Sequence, residues 1–145
     1  MLGKEIGFYQ DPVSDYGRLN SEMLRAVRLV VDTGIHDKNW SRQQVIDYMH
    51  ANDINDALAQ TETDRYIAWP GQALAYKMGQ LTILKLRDEA KTQLGEKFDL
   101  KAFHDEILNG GSMPLDLLQE RVEAWIKDQA VKSCEWSRWE RRHGR

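Results

Sequence analysis

The chain has 145 residues, 41% hydrophobic and 30% charged, with a formal net charge of −3. This length suits one compact domain with its own core, and the hydrophobic share excludes a disordered chain. The acidic balance argues against nucleic acid, which is bound through clustered Lys and Arg, and the shortness of the apolar runs, as in Leu29-Val30-Val31, excludes a membrane span.

Residues Met1 to Tyr9 have a helical look without a start signal, and Gln10-Asp11-Pro12 is expected to end them. They read as the tail of a longer helix. From Ser14 or Asp15 a long helix should run to about Thr33, burying Leu19, Met23, Val27, Val30 and Val31, with Gly34 near its stop. Arg18, Glu22, Arg25, Arg28, Asp32 and His36 fall within about 120° of arc on another side, as helical geometry requires. Two readings of that stripe stay open, a solvated face or the polar wall of a cleft in which Asp32 and His36 hydrogen-bond across one turn.

Ser41 followed by Gln44 is a capping box opening a helix with Val45, Ile46 and Met49, and Trp40 is placed to staple against Val45. Asn52-Asp53-Ile54-Asn55 is a polar break, followed by a short helical segment from Asp56 to Gln60. Thr61 is then expected to cap a new helix that stops near Ala68, because Pro70 cannot continue it. Pro70 suits a first helical position, so the next helix should run from Pro70 to Leu94. It has two apolar stripes: Leu74, Met78, Leu81 and Leu84, then Ile83, Leu86, Ala90 and Leu94. Gln72 and Tyr76 head the second stripe, where an amide and a phenol need partners, either in a structural hydrogen-bond network or in a substrate.

Asp99 should cap a further helix, with Phe98 stapled to Phe103 and Asn109-Gly110-Gly111 as its stop; His104 beside it reads as an ordinary boundary residue. Pro114 opens the last amphipathic helix, carrying Leu115, Leu118, Val122 and Trp125. The Trp- and Arg-rich residues 132–145 read as a helix extension or a disordered tail. No strand alternation occurs. The expected fold is all-α, about six helices stacked around Pro70–Leu94, with residues 1–131 forming one domain.

The sequence has no HExxH, CxxC, P-loop, GxGxxG or GxSxG, so spacing alone yields no complete catalytic site, no metal ligands and no cofactor. Cys134, the single cysteine, cannot form an internal disulfide. No signal peptide is readable, which implies a cytoplasmic chain if Met1 is the true start.

Several stretches together resemble the bacterial domain of unknown function 885 family. They are Gly7 to Pro12, Arg25 to His36, Arg65-Tyr66 with Trp69 to Gln80, and Phe103-His104 with Pro114-Leu115. The family looks like all-helical zinc-dependent peptidases. In full-length relatives the histidine-glutamate zinc motif lies upstream, so the resemblance implies that this chain is the C-terminal part of such a fold. What carries over is the half of the site without metal: Arg65, Tyr66, Gln72 and Tyr76 as the polar cluster, with Tyr76 or Tyr66 at the oxyanion, and Asp32 and His36 facing the cleft.

Two functions follow as expectations. One is a substrate-side fragment of a zinc-peptidase-like protein, inactive alone, whose peptide substrate and zinc belong to the full-length relatives. The other is a non-enzymatic helical interaction module that self-associates or binds the missing N-terminal half. Neither involves a membrane or nucleic acid.

Overall fold

The computed structural model describes the backbone of residues 2–143 and the side chains of residues 3–131. Those residues form an all-α protein of seven α-helices, without strands among the described residues. They divide into two compact units, Met1–Met78 and Gly79–Arg145. No helix among the described residues is long and apolar enough to cross a membrane.

In the first unit α1 (Leu2–Glu5) is followed by α2 (Pro12–His36), α3 (Arg42–His50) and α4 (Asp56–Ala68). A 3-10 turn, Gln72–Leu74, leads into α5 (Ala75–Leu94). Asp11 and Pro12 start α2 rather than ending α1: the Asp11 carboxylate accepts from the Ser14 amide, and proline sits in the first turn, where its missing N–H costs nothing. The Ser41–Gln44 capping box forms in both directions at α3.

Thr61, expected to start a helix, lies in the middle of α4. Asn55 is the cap, accepting from the Leu58 amide at 3.0 Å, while the Thr61 hydroxyl donates back to the Ala57 carbonyl. Asn and Thr are both good caps, and the earlier one prevails because nothing between them interrupts the helix. Pro70 is not helical either. Gly71 adopts φ 78°, turning the chain before the 3-10 segment, so α5 begins at Ala75.

The unit's core is Val27 and Val31 of α2, Val45, Ile46 and Met49 of α3, Ile54, and Ala59 and Tyr66 of α4, with Ala73. Full burial of each large aliphatic stabilises by about 1.5–3 kcal/mol, so this cluster is the main tie between α2, α3 and α4. The expected α2 face is only partly buried: Val27 and Val31 are inside, whereas Leu19, Met23 and Val30 are exposed. Tyr16 and Val13 extend that open apolar strip. Met78 and Leu81, from one of the two α5 stripes, are also exposed.

In the second unit the rest of α5 is followed by α6 (Leu100–Leu108) and α7 (Leu115–His143). Leu86, Ala90, Leu94, Phe103, Leu118, Val122 and Ile126 are its buried core. Asp99 caps α6 through the Lys101 amide, and the Phe98 ring packs 6.0 Å from Phe103. The side chains of the Trp- and Arg-rich stretch after Lys132, Cys134 and His143 included, lie outside the described residues.

Candidate functional site

The charged stripe of α2 turns inward at its C-terminal half. Arg28 and Asp32, one turn apart, are the two buried charged residues of the first unit. Burying a charge is expensive unless partners replace water, and each side chain is met by something α4 and the following turn supply. The Asp32 carboxylate receives the Gly71 amide, at 3.2 and 3.1 Å from its two oxygens. That amide is available because the positive φ of Gly71 turns it out of the helical ladder.

Gln72 follows directly. Its Oε1 accepts from Arg28 Nη2 at 3.0 Å and from Arg65 Nη1 at 3.4 Å. Two guanidinium donors fix the amide orientation, so Nε2 faces away as a donor. Arg65 is held from behind by Glu62, which accepts from its Nε at 3.1 Å and also from the Tyr66 hydroxyl at 2.6 Å. These spacings of three and four place all three side chains on one face of α4.

His36 Nε2 lies 2.9 Å from the Tyr66 backbone carbonyl. A carbonyl can only accept, so His36 carries its proton on Nε2 and adds a second donor to a last-turn carbonyl of α4 that otherwise receives only the Trp69 amide, at 3.4 Å. The Tyr66 ring lies under the guanidiniums of Arg28 and Arg65, at 5.6 and 5.3 Å from centroid. Tyr76 is flanked by Arg25 and Arg28 at 5.6 and 5.5 Å, with its edge open to solvent.

Burial pulls the Glu62 carboxyl upward, but the hydrogen bonds from Arg65 and Tyr66 and the charges of Arg65 and Arg28 outweigh it and hold it below 4.5. The Tyr66 phenol is pushed well above the ordinary tyrosine range, first by burial and then by its bond to Glu62. It stays neutral. One donor is left over: Arg28 Nε is buried without a hydrogen-bond partner.

The structure therefore brings Arg65, Tyr66, Gln72 and Tyr76 into one cluster with Asp32 and His36 at its edge. Asp32 and His36 do not bond each other as their spacing suggested, because each is taken by the backbone at the end of α4 or just after it. Tyr66 is buried with its hydroxyl committed to Glu62, whereas Tyr76 is exposed. Arg28, Arg25 and Glu62 were not among the expected site residues. The spacing of Glu62 to Arg65 and Tyr66 was a readable signal; that Arg28 and Asp32 are the buried members of the α2 stripe was not.

Among the described residues no three of His, Cys, Asp and Glu come together to hold a metal ion, so the side chains in hand do not fit a zinc site. A cavity of about 240 Å³ in this unit is lined by Asn20, Ser21, Leu24, Asp53, Asn55 and Leu58. None of the cluster residues lines it, and it holds no constellation of groups suited to catalysis.

A family model described as a bacterial protein of unknown function, DUF885, matches residues 1–122. A solved structure from Colwellia psychrerythraea, described as a candidate lipoprotein, is similar at 50% identity with a TM-score of 0.84. The similarity covers 88% of this chain and 22% of that one, so the chain spans about a fifth of that protein's length. No curated protein matches the sequence.

Proposed function

We propose a function from one premise: the chain belongs to the bacterial family DUF885. On this reading it is the C-terminal, substrate-side part of a zinc-peptidase-like protein and hydrolyses nothing by itself. The observation that carries the reading is the costly burial of Arg28 and Asp32 in a polar network set beside the apolar core. A polar wall prepared in this way suits a substrate rich in amides.

In this role Gln72 Nε2 and Arg65 donate to peptide carbonyls, and Asp32 holds the Gly71 turn that seats Gln72. Tyr66 and His36 fix the end of α4. The exposed Tyr76 hydroxyl is the neutral donor able to reach charge developing on a carbonyl oxygen. The zinc implied for full-length relatives would polarise that carbonyl and activate water. Among the described residues no group of His, Cys, Asp and Glu could hold it.

The test has two arms. The purified chain, given unstructured peptides, should release no products. In a full-length relative, the counterpart of Tyr76→Phe should lower kcat by about 10²-fold with unchanged folding, the usual cost of losing one oxyanion donor. Turnover by the isolated chain, or unchanged kcat in the relative, overturns the assignment.

A second reading is favoured by the open apolar strip of α2, where Val13, Tyr16, Leu19, Met23 and Val30 are exposed. Such a strip suits a helical interaction surface for a second copy of the chain or for the remainder of a longer protein. A monomer at high concentration in sedimentation would remove self-association.

A further inference from the structure

We propose that Arg25, Arg28 and Gln72, grouped around the Tyr76 ring, form a carboxylate-binding site whose ligand is the free C-terminal carboxylate of a peptide. The inference rests on the peptide-wall reading and goes further, naming the end of the substrate that this wall takes.

The cluster holds more donors than acceptors. Both oxygens of Glu62 are occupied, by Arg65 and by Tyr66, and both oxygens of Asp32 face the Gly71 amide. Gln72 Oε1 is shared between two guanidiniums. Against these stand Arg25 and Arg28, neither of which makes an ion pair among the described residues. Their guanidiniums lie against the same Tyr76 ring, at 5.6 and 5.5 Å from its centroid.

Arg28 is more than nine-tenths buried, and its Nε has no acceptor. A buried donor without a partner costs free energy comparable to a lost hydrogen bond, and more when it carries charge. Gln72 Nε2 and the Tyr76 hydroxyl also have no hydrogen-bond acceptor among the described residues. What the cluster lacks is one compact group with several acceptor lone pairs and a negative charge. A carboxylate fits, because guanidinium donors in a fork match its two oxygens. A neutral peptide carbonyl would satisfy one donor and bring no charge to Arg25 and Arg28.

The chain's overall negative charge works against anions in general, so this site is a local exception rather than part of a basic surface. An acidic side chain has the same chemistry as a C-terminus. The terminal carboxylate is favoured because the peptide group beside it would offer its carbonyl to Gln72 Nε2, the donor left when Oε1 is taken by the two arginines.

The test is calorimetric or NMR titration of the full chain with three probes: acetylglycine, an alanine tripeptide with a free C-terminus, and the same tripeptide amidated. A fourth, the amidated tripeptide carrying one internal aspartate, separates the two carboxylate sources. The expected result is at least tenfold weaker binding on amidation that the aspartate does not restore, and a similar loss in Arg25→Gln, which removes an exposed side chain and leaves the fold intact. Arg28→Gln should do the same if it folds; Arg25→Gln carries the test if it does not.

Equal binding of the free and amidated peptides overturns the carboxylate site while leaving the peptide wall standing. Recovery of binding by the aspartate overturns the C-terminal assignment. Binding of acetylglycine that the longer peptide does not improve keeps the carboxylate site and sinks the peptide wall. No binding of any probe overturns both.

Discussion

Arg28 and Gln72, 44 residues apart in the chain, are joined by a 3.0 Å hydrogen bond between a buried guanidinium and a half-buried amide. This contact ties the C-terminal half of α2 to the turn that opens α5. Gln72→Leu keeps the volume but removes the acceptor that Arg28 and Arg65 share, and is expected to cost about 1–3 kcal/mol in urea unfolding. Gln72→Glu supplies a charged acceptor and should recover most of that stability, since charge-assisted bonds are about twice as strong. It should also abolish acetylglycine binding by occupying the donors internally. A Glu variant as unstable as the Leu variant would show that the two arginines do not depend on Gln72.

Two glycines eight residues apart should respond oppositely to alanine. At Gly71 nothing stands within 4 Å of an added Cβ, but φ is 78°, so Gly71→Ala should destabilise by about 1–2 kcal/mol through backbone strain alone. At Gly79, inside α5 and equally open, alanine should stabilise by about 0.5–1 kcal/mol. Thermal unfolding of both variants gives the comparison; shifts of the same sign would contradict it.

Gly34 sets a third case. An added Cβ would lie 2.6 Å from the Trp40 ring, which the chain folds back against α2 through the Trp40 amide bond to the Gly34 carbonyl. The Trp40 ring is also packed 5.5 Å from Tyr48, which limits its retreat. Gly34→Ala should therefore cost about 1–3 kcal/mol by overpacking, and Trp40→Leu in the same chain should relieve part of the loss.

The acid side of the stability curve should depend on Glu62. Its folded-state pKa lies below 4.5, so the folded chain binds fewer protons than the unfolded one there. Its contribution is then fully present above pH 4.5 and is lost as pH falls through the depressed value. Glu62→Gln should lower stability at neutral pH and flatten the fall below pH 4.5. The flattening is partial, because Asp15, held low by its bonds from Lys4 and Arg18, and Asp64, held low by Arg42, still titrate. An unchanged acid slope would mean that Glu62 titrates normally.

The open strip of α2 gives a prediction about assembly. Leu19→Glu with Met23→Glu replaces exposed side chains, so stability should change by less than about 0.5 kcal/mol each. If the strip joins two copies, sedimentation should shift from dimer to monomer. A wild-type chain that is already monomeric at the highest concentration would end that reading.

Much of this fold was legible wherever a local rule has one outcome. The Ser41–Gln44 box, the Asp99 cap and the Phe98–Phe103 contact involve residues within five positions of each other, and they form as their spacing implies. The start of α4 was misplaced because Asn55 and Thr61 both satisfy the same local rule, and only helix continuity chooses between them. The site was legible as residue types but not as connections. Asp32 and His36 satisfy a four-residue spacing, yet each is drawn to backbone groups that become available only where α4 stops and Gly71 turns. The extent of the buried side of α2 was misjudged for a related reason. Val27 and Val31 of the apolar strip are core, but Leu19, Met23 and Val30 are not, while Arg28 and Asp32 of the charged stripe are buried because the end of α4 and the turn after it bring them partners.

The bond from Gly71 to Asp32 closes a loop of 39 residues that contains all of α3 and α4. Turn amides usually face water and trade their protons quickly, but this one is hydrogen-bonded to the carboxylate of Asp32, a residue 3% exposed. Its proton can leave only when α2 parts from the turn, so in deuterated water the Gly71 amide signal should fade at the pace at which the first unit opens. A single resonance outside every helix would then serve as a clock for the opening of the whole site.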